Sequence, residues 1–215
     1  MRVLPIVLAA VVSTMSLSGM VYADPKAADP LAVEFDGQRF TLNFEDQAAL
    51  PDGSMGNALA EFTLKGETVE NWSKLFAFYA YPQMGTDPTA AVEAVGKVVK
   101  ETNPDANYAI DVSNEKEAII DFLTWAEGSE VMEFNVFRYT PADDGPGLIA
   151  MQYAQHINID DMDVEAMRAL RERAVREMAA MDMDAAQDYF AAKREQMSAK
   201  AEDGDTPSFA ERDQQ

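Results

Sequence analysis

The chain has 215 residues with 38 acidic and 17 basic side chains, a net charge of −21, one histidine and no cysteine. The lack of cysteine excludes disulfides, thiol catalysis, cysteine metal sites and lipid attachment to an N-terminal cysteine. The negative charge argues against binding to nucleic acid or anionic lipid, because either would add charge of the same sign.

The first 23 residues are typical of a secretory signal peptide. Arg2 precedes an apolar run from Val3 to Val12, and Val21-Tyr22-Ala23 satisfies the small-residue rule for a cleavage site. Prolines and serines interrupt the segment, which falls short of the ~20 apolar residues that a membrane span needs. We expect cleavage before Asp24, a periplasmic or secreted mature protein, and no stable membrane span.

The first half of the mature chain predicts several strands. Leu31–Phe35 and Arg39–Phe44 alternate apolar and polar residues across Asp36-Gly37, a dipeptide suited to a tight hairpin turn. After a loop over residues 46–56, Asn57–Leu64 alternates again, and Leu75–Tyr81 is an aromatic-rich strand.

Two helical signals occur in the same half. Gly66–Trp72 predicts a short helical turn, with Thr68 as its cap, that packs Trp72 onto the sheet. The stronger signal is Asp87 as N-cap followed by Pro88 at the first helical position. Valines 92, 95, 98 and 99 then form the buried stripe, and Asn103-Pro104 ends the helix.

The centre of the chain predicts an antiparallel meander. Glu117–Ala126, Val131–Thr140 and Leu148–Ile157 are rich in aromatic and β-branched residues and are separated by turn-forming segments. In each run, alternation predicts two faces of different polarity. With Asn107–Val112, the pattern predicts an α+β fold: a twisted antiparallel sheet of about seven to eight strands packed against helices.

After residue 160 the sequence pattern becomes typical of helices. Val164, Met167, Leu170, Ala174, Met178 and Met181 recur at helical spacing, and a second helix is expected over Ala185–Ala201 after a break near Asp182. We divide the mature chain into a sheet core over 24–160, C-terminal helices over 161–201 and a disordered acidic tail over 202–215.

The motifs of common enzymes are missing. The chain has no Gly-x-Ser-x-Gly elbow, phosphate loop, dinucleotide fingerprint or paired zinc-ligand histidines. A calcium-loop spacing from Asp161 to Glu172 has Ala166 where the loop needs glycine. The sequence therefore favours a non-catalytic protein without a cofactor, and a hydrolase with His156 as its base is one alternative.

A second alternative is a periplasmic copper protein. Met181 and Met183 with His156, assisted by Met178 and Met197, are soft ligands that suit cuprous ion. Methionine at helical spacing more often fills a core, and we favour that interpretation.

Aromatic residues supply the candidate site for a ligand or a protein partner. Trp72, Tyr79, Tyr81 and Trp125 are chosen because aromatic side chains often anchor recognition, with core packing as the competing interpretation. The C-terminal helices hold seven bases among their acids, which predicts a solvated helix face or, alternatively, a docking surface for an acidic partner.

Several segments carry a resemblance: Gly66–Leu75, the aromatic strand and capped helix after it, Glu133–Tyr139 and Gln152–Ala154. Over about residues 57–157, they resemble uncharacterised exported proteins of Gram-negative bacteria. The order of elements is also similar to the PsbP-like fold of photosystem accessory proteins. This resemblance implies helices on both sides of the sheet and a non-catalytic binding or assembly role with a protein partner; it supplies no site residues.

Overall fold

The computed structural model describes residues 31–161 and 163–203. The predicted signal peptide and, from residue 204 onward, the predicted tail lie outside this part of the chain. The elements are β1 Ala32–Phe35, β2 Gln38–Ala49, β3 Met55–Thr63, β4 Lys74–Tyr81, α1 Pro88–Thr102, β5 Tyr108–Asn114, β6 Glu117–Trp125, β7 Val131–Pro141, β8 Leu148–Asn158, α2 Val164–Ala180 and α3 Asp184–Asp203, with a 3-10 turn at Ile159–Asp161.

The eight strands form one antiparallel sheet in the order β1-β2-β3-β4-β8-β7-β6-β5. The predicted meander is β6, β7 and β8, and β8 joins it to the N-terminal strands by pairing with β4. The predicted hairpin turn is also present, with φ of 51° at Asp36 and 66° at Gly37. The prediction of an α+β fold with a large antiparallel sheet is confirmed.

Helices pack on both sides of the sheet. On one side, called here the α1 side, α1 packs mainly over β5, β6 and β7. On the other, the α2–α3 side, α2 packs over β6 and β7 while α3 reaches β3, β4 and β8. The prediction that each meander strand has a more polar face is therefore wrong for most of β7 and β8, because helices and neighbouring side chains bury both faces.

Helix α1 follows its sequence signals. The Asp87 carboxylate accepts hydrogen bonds from the backbone N–H groups of Thr89 and Ala90 at 2.9 and 3.2 Å. Pro88 is the first helical residue, where its fixed φ costs nothing and its missing N–H is not needed. Val92, Val95 and Val99 are buried against the sheet, whereas Val98, predicted as part of the same stripe, is only partly buried.

Three local predictions are wrong. The Gly66–Trp72 segment is not helical: Gly66 has a φ of 89°, and Thr68 and Asn71 form an isolated antiparallel bridge. Strand β2 continues to Ala49 through residues predicted as loop, because pairing with β3 supplies their backbone hydrogen bonds. Val164 is 72% exposed, since the first buried residue of α2 is Leu170, more than a turn later.

Polar contacts fasten α2 and α3 to the sheet. The Arg138 guanidinium lies on β7, forms an ion pair with Glu117, and donates to the carbonyl oxygens of Met178, Ala179 and Met181 at 3.0, 3.1 and 2.7 Å. These carbonyls are at the C-terminal end of α2, which attracts cations. Three further ion pairs hold the helices to the strands: Arg171 with Asp121, Arg173 with Asp36, and Lys193 with Glu45.

Gly147 allows the β7–β8 connection to pass close to the end of β4. Its φ is 89°, and a Cβ added there would lie 2.0 Å from the Tyr81 carbonyl oxygen. We expect Gly147→Ala to lower the free energy of unfolding by about 2–4 kcal/mol, because strain and a backbone clash add.

Urea unfolding measures this effect. Gly85→Ala is the matched control, since a Cβ added at Gly85 would meet nothing within 4 Å and the φ of this residue is not in the left-handed region. Equal unfolding midpoints for the two variants would contradict the described geometry.

Candidate functional site

Three tyrosines stack in a row on the α1 side. The rings of Tyr79 and Tyr81 are nearly parallel, with centroids 5.8 Å apart and an interplanar angle of 5°, and Tyr139 continues the stack 6.3 Å from Tyr81. Burial raises the pKa of all three hydroxyl groups. They therefore stay neutral at physiological pH and can act as hydrogen-bond donors.

A chain of hydrogen bonds, called here the polar chain, starts at this row. The Tyr79 hydroxyl donates to Gln152 Oε1 at 2.6 Å, and Gln152 Nε2 donates to Asn135 Oδ1 at 2.7 Å. Asn135 Nδ2 then donates to Glu133 Oε1 at 2.9 Å. Glu133 Oε2 lies 3.5 Å from His156 Nε2, so the chain connects the tyrosine row to the only histidine.

The hydrogen-bond partners of His156 favour its charged form. Nδ1 lies 2.9 Å from the Trp72 carbonyl oxygen, which can only accept, and Nε2 faces the Glu133 carboxylate. Burial lowers the pKa of His156, but these two hydrogen bonds and the charges of Glu133 and Glu67 outweigh it and raise the pKa above its ordinary value. The Trp72 ring also stacks on the imidazole, with centroids 3.8 Å apart.

Glu61 is an unusual carboxylate on the same side of the sheet. It lies on β3 directly opposite Ala77, which places it diagonally next to Tyr79 on β4. Within the described residues it has no ion pair and no side-chain hydrogen bond. Burial, with a smaller contribution from the charge of Glu70, raises the pKa of Glu61 to about 7.

The four aromatic residues predicted as a site occupy three places. Tyr79 and Tyr81 belong to the tyrosine row, and Trp72 stacks on His156. Trp125 lies at the end of β6, where its carbonyl accepts a hydrogen bond from the Asn103 side chain at the end of α1. The polar chain links the first two places, and no hydrogen bond among the described residues connects Trp125 to it.

The geometry at His156 gives little support to a hydrolase. Both ring nitrogens face acceptors, so neither is free to take a proton from a nucleophile. In the described part of the chain, no serine or threonine hydroxyl forms a hydrogen bond with the imidazole; Ser73, which follows Trp72, donates its hydroxyl hydrogen to Glu67.

The residues of the predicted copper site do not come together. Met178, Met181 and Met183 pack in the core of the α2–α3 side, whereas His156 contacts Trp72 and Glu133 on the α1 side. The sheet lies between the two groups. Over residues 31–161 and 163–203, no set of three or more histidine, aspartate or glutamate side chains could hold a metal ion either.

Sequence reasoning missed most of the polar residues of this site. Glu61, Glu133, Asn135 and Gln152 each interrupt a run of apolar residues in a strand. Such interruptions are a usable signal, because a polar side chain inside a buried sheet must find a partner. The partners lie on strands that are distant in sequence, so the signal would have named the residues and not their connections.

The C-terminal helices offer a different surface. Arg171, Arg173 and Lys193 pair with carboxylates of the protein's own sheet and so are engaged within the fold. An open depression of about 550 Å³ lies beside α3 and includes Arg194 and Asp144 but none of the predicted site residues.

None of the described helices combines the length and the apolar character that crossing a bilayer requires.

A protein-family model of an uncharacterised family matches residues 27–183. The chain belongs to this family. The matched region contains the whole sheet, α1, α2 and every residue of the polar chain, and it ends immediately before α3. A comparison with curated proteins found no match.

The raised pKa of His156 predicts a pH dependence of stability. A group whose folded pKa lies above its unfolded value of about 6.5 stabilises the fold fully below pH 6.5, and this contribution is lost as the pH rises through the folded pKa. We expect the free energy of unfolding of the unaltered protein to exceed that of His156→Gln at pH 5.5, and this difference to fall by about 1 kcal/mol as the pH rises to 8.5.

Urea unfolding of both proteins across this range measures the difference. Glu61 also titrates here, but it is present in both proteins and cancels in the comparison. Parallel stability profiles would show that His156 is not held as an imidazolium by Glu133 and the Trp72 carbonyl.

Proposed function

We propose that this protein is a non-catalytic binding or accessory protein of the periplasm, exported by its N-terminal signal peptide and related in layout to the PsbP-like fold. It binds a protein partner through the α1 side of the sheet. Supporting this are the signal-peptide pattern in the sequence, the arrangement of helices around the sheet and the aromatic residues on one part of it.

The observation that best supports the proposal is that α1 covers only part of its side of the sheet. Helix α1 packs mainly over β5, β6 and β7, which leaves β3 and β4 beside it. This area, called here the β3–β4 surface, consists of Leu59, Glu61, Trp72, Tyr79 and Tyr81. All except Tyr79 are partly exposed. Aromatic residues at an accessible sheet surface are typical anchors of protein recognition.

The polar chain favours binding over catalysis. Its members use one another as hydrogen-bond partners from Tyr79 to His156, so they hold the surface in one arrangement. A catalytic set needs a base with an accepting position that faces a substrate or nucleophile. A pre-organised surface, in contrast, loses little conformational entropy when a partner binds.

The binding surface can be tested by comparing variants in the capture of a partner. A C-terminally tagged protein, expressed with its own leader, is purified from the periplasm in three forms: unaltered, Tyr81→Ala and Tyr108→Ala. Tyr108 is a matched control because it is 40% exposed on β5, at the opposite edge of the sheet. Circular dichroism first establishes that each variant is folded.

We expect a stoichiometric partner to be retained by the unaltered protein and by Tyr108→Ala, and its yield to fall about tenfold or more with Tyr81→Ala. A partner held equally well by Tyr81→Ala would place recognition elsewhere. Failure of the unaltered protein to retain any stoichiometric partner would refute the proposed function.

Export has its own test. N-terminal sequencing of the protein from cell fractions is expected to find a chain that starts at Asp24 in the periplasmic fraction, because Ala23 and Val21 form the small-residue cleavage pattern. A cytoplasmic protein that retains the leader would contradict the periplasmic location.

A further inference from the structure

We propose that the β3–β4 surface recognises lysine or arginine side chains of an extended basic segment in a partner protein. The inference rests on the binding function proposed above and adds the chemistry of the partner. Glu61 is the centre of this recognition, and Tyr79 and Tyr81 form its aromatic border.

Glu61 lacks a cation within the described part of the protein. Two bases of the neighbouring strands are already engaged: Lys74, at the start of β4, forms an ion pair with Asp36 at 3.0 Å on the α2–α3 side, and His156 on β8 is held by Glu133. A partly buried carboxylate without a partner is costly, and an arriving ammonium or guanidinium group would remove that cost.

The charges around Glu61 increase its preference for a cation. The negative charge of Glu70 raises the pKa of Glu61, and the charges of Glu61 and Glu133 raise the pKa of Tyr79. The local field is therefore negative. The net charge of −21 extends this field over the whole molecule, and it would steer a basic partner toward the protein.

The aromatic rings add a second attraction for cations. Tyr79 is the diagonal neighbour of Glu61 across the β3–β4 pair, and Tyr81 stacks parallel to it. Tyr81 is the partly exposed ring of this pair, and electron-rich aromatic rings attract a cation that approaches Glu61. Carboxylate and tyrosine together select a cation over a neutral apolar group.

The length of the surface favours a peptide segment over a small molecule. Trp72 precedes β4 and Tyr81 ends it, and the eight residues of β4 span roughly 26 Å at the usual rise of a strand. Partly exposed residues at both ends and at Glu61 between them provide several contact points along this length. An extended chain with a basic residue opposite Glu61 can contact both ends of this surface.

The test uses the synthetic peptide acetyl-Ala-Lys-Ala-Lys-Ala-Lys-amide as the probe. Backbone amide signals of the isotope-labelled protein are followed by NMR during titration at pH 8, with the corresponding glutamate peptide as a charge control. The variants are Glu61→Gln and the matched control Glu115→Gln. Glu115 is an exposed acid in the β5–β6 turn, at the far edge of the sheet.

We expect the lysine peptide to shift signals around Glu61 and Tyr81, and Glu61→Gln to weaken its binding about tenfold while Glu115→Gln changes it less than about twofold. Binding to the unaltered protein is expected to strengthen between pH 6 and pH 8.5. The reason is that the pKa of Glu61 is about 7, so the carboxylate becomes fully charged over this range. Glu61→Gln should lose most of this pH dependence; the remainder comes from His156, which loses its positive charge over the same range in both proteins.

Other results overturn the inference. No binding, equal weakening by the two substitutions, or shifts elsewhere on the protein would show that Glu61 does not select a cation. The proposed function is judged separately by partner capture. A partner that is lost with Tyr81→Ala and retained with Glu61→Gln would uphold a binding function and refute the preference for basic side chains.

Discussion

Arg138 joins the C-terminal helices to the sheet, and the layered structure depends on this contact. Its buried guanidinium donates to three carbonyl oxygens at the end of α2 and forms an ion pair with Glu117 on β6. Loss of one partner would leave a buried charge, which costs about 3–5 kcal/mol. The contact lies at the end of α2, and α3, which follows, places Phe190 in the core.

This attachment gives the two sides of the sheet different roles. On the α2–α3 side, aromatic residues such as Phe76 and Tyr153 pack beneath the helices, and bases of the helices pair with acids of the strands. The sheet is thereby buried on this side, and α1 buries part of the other over β5, β6 and β7. The α1 side can then hold the polar chain and an accessible surface without loss of the fold.

Local signals in the sequence predicted the parts of the fold that depend on local chemistry. Asp87-Pro88 determined the start of α1, and Asp36-Gly37 determined the first hairpin turn. Errors arose where distant contacts decide the structure: pairing with β3 extended β2 to Ala49, and the position of α2 relative to the sheet left Val164 exposed. For the candidate site, aromatic composition predicted Tyr79 and Tyr81, but it could not show that Glu61 lies beside Tyr79.

The alternation of side chains along β8 shows why the site forms where it does. Gln152 and His156 differ by an even number of residues and point to the α1 side, whereas Met151 and Tyr153 point to the α2–α3 side. A histidine on this strand therefore cannot join the methionines of α2 without crossing the sheet. The same alternation puts Gln152 on one side of the sheet with its diagonal neighbours Asn135 on β7 and Tyr79 on β4, which makes a continuous polar chain possible from three separate strands. The function proposed for this protein thus depends on strand register, since a shift of one residue would move Gln152 and His156 to the opposite side of the sheet.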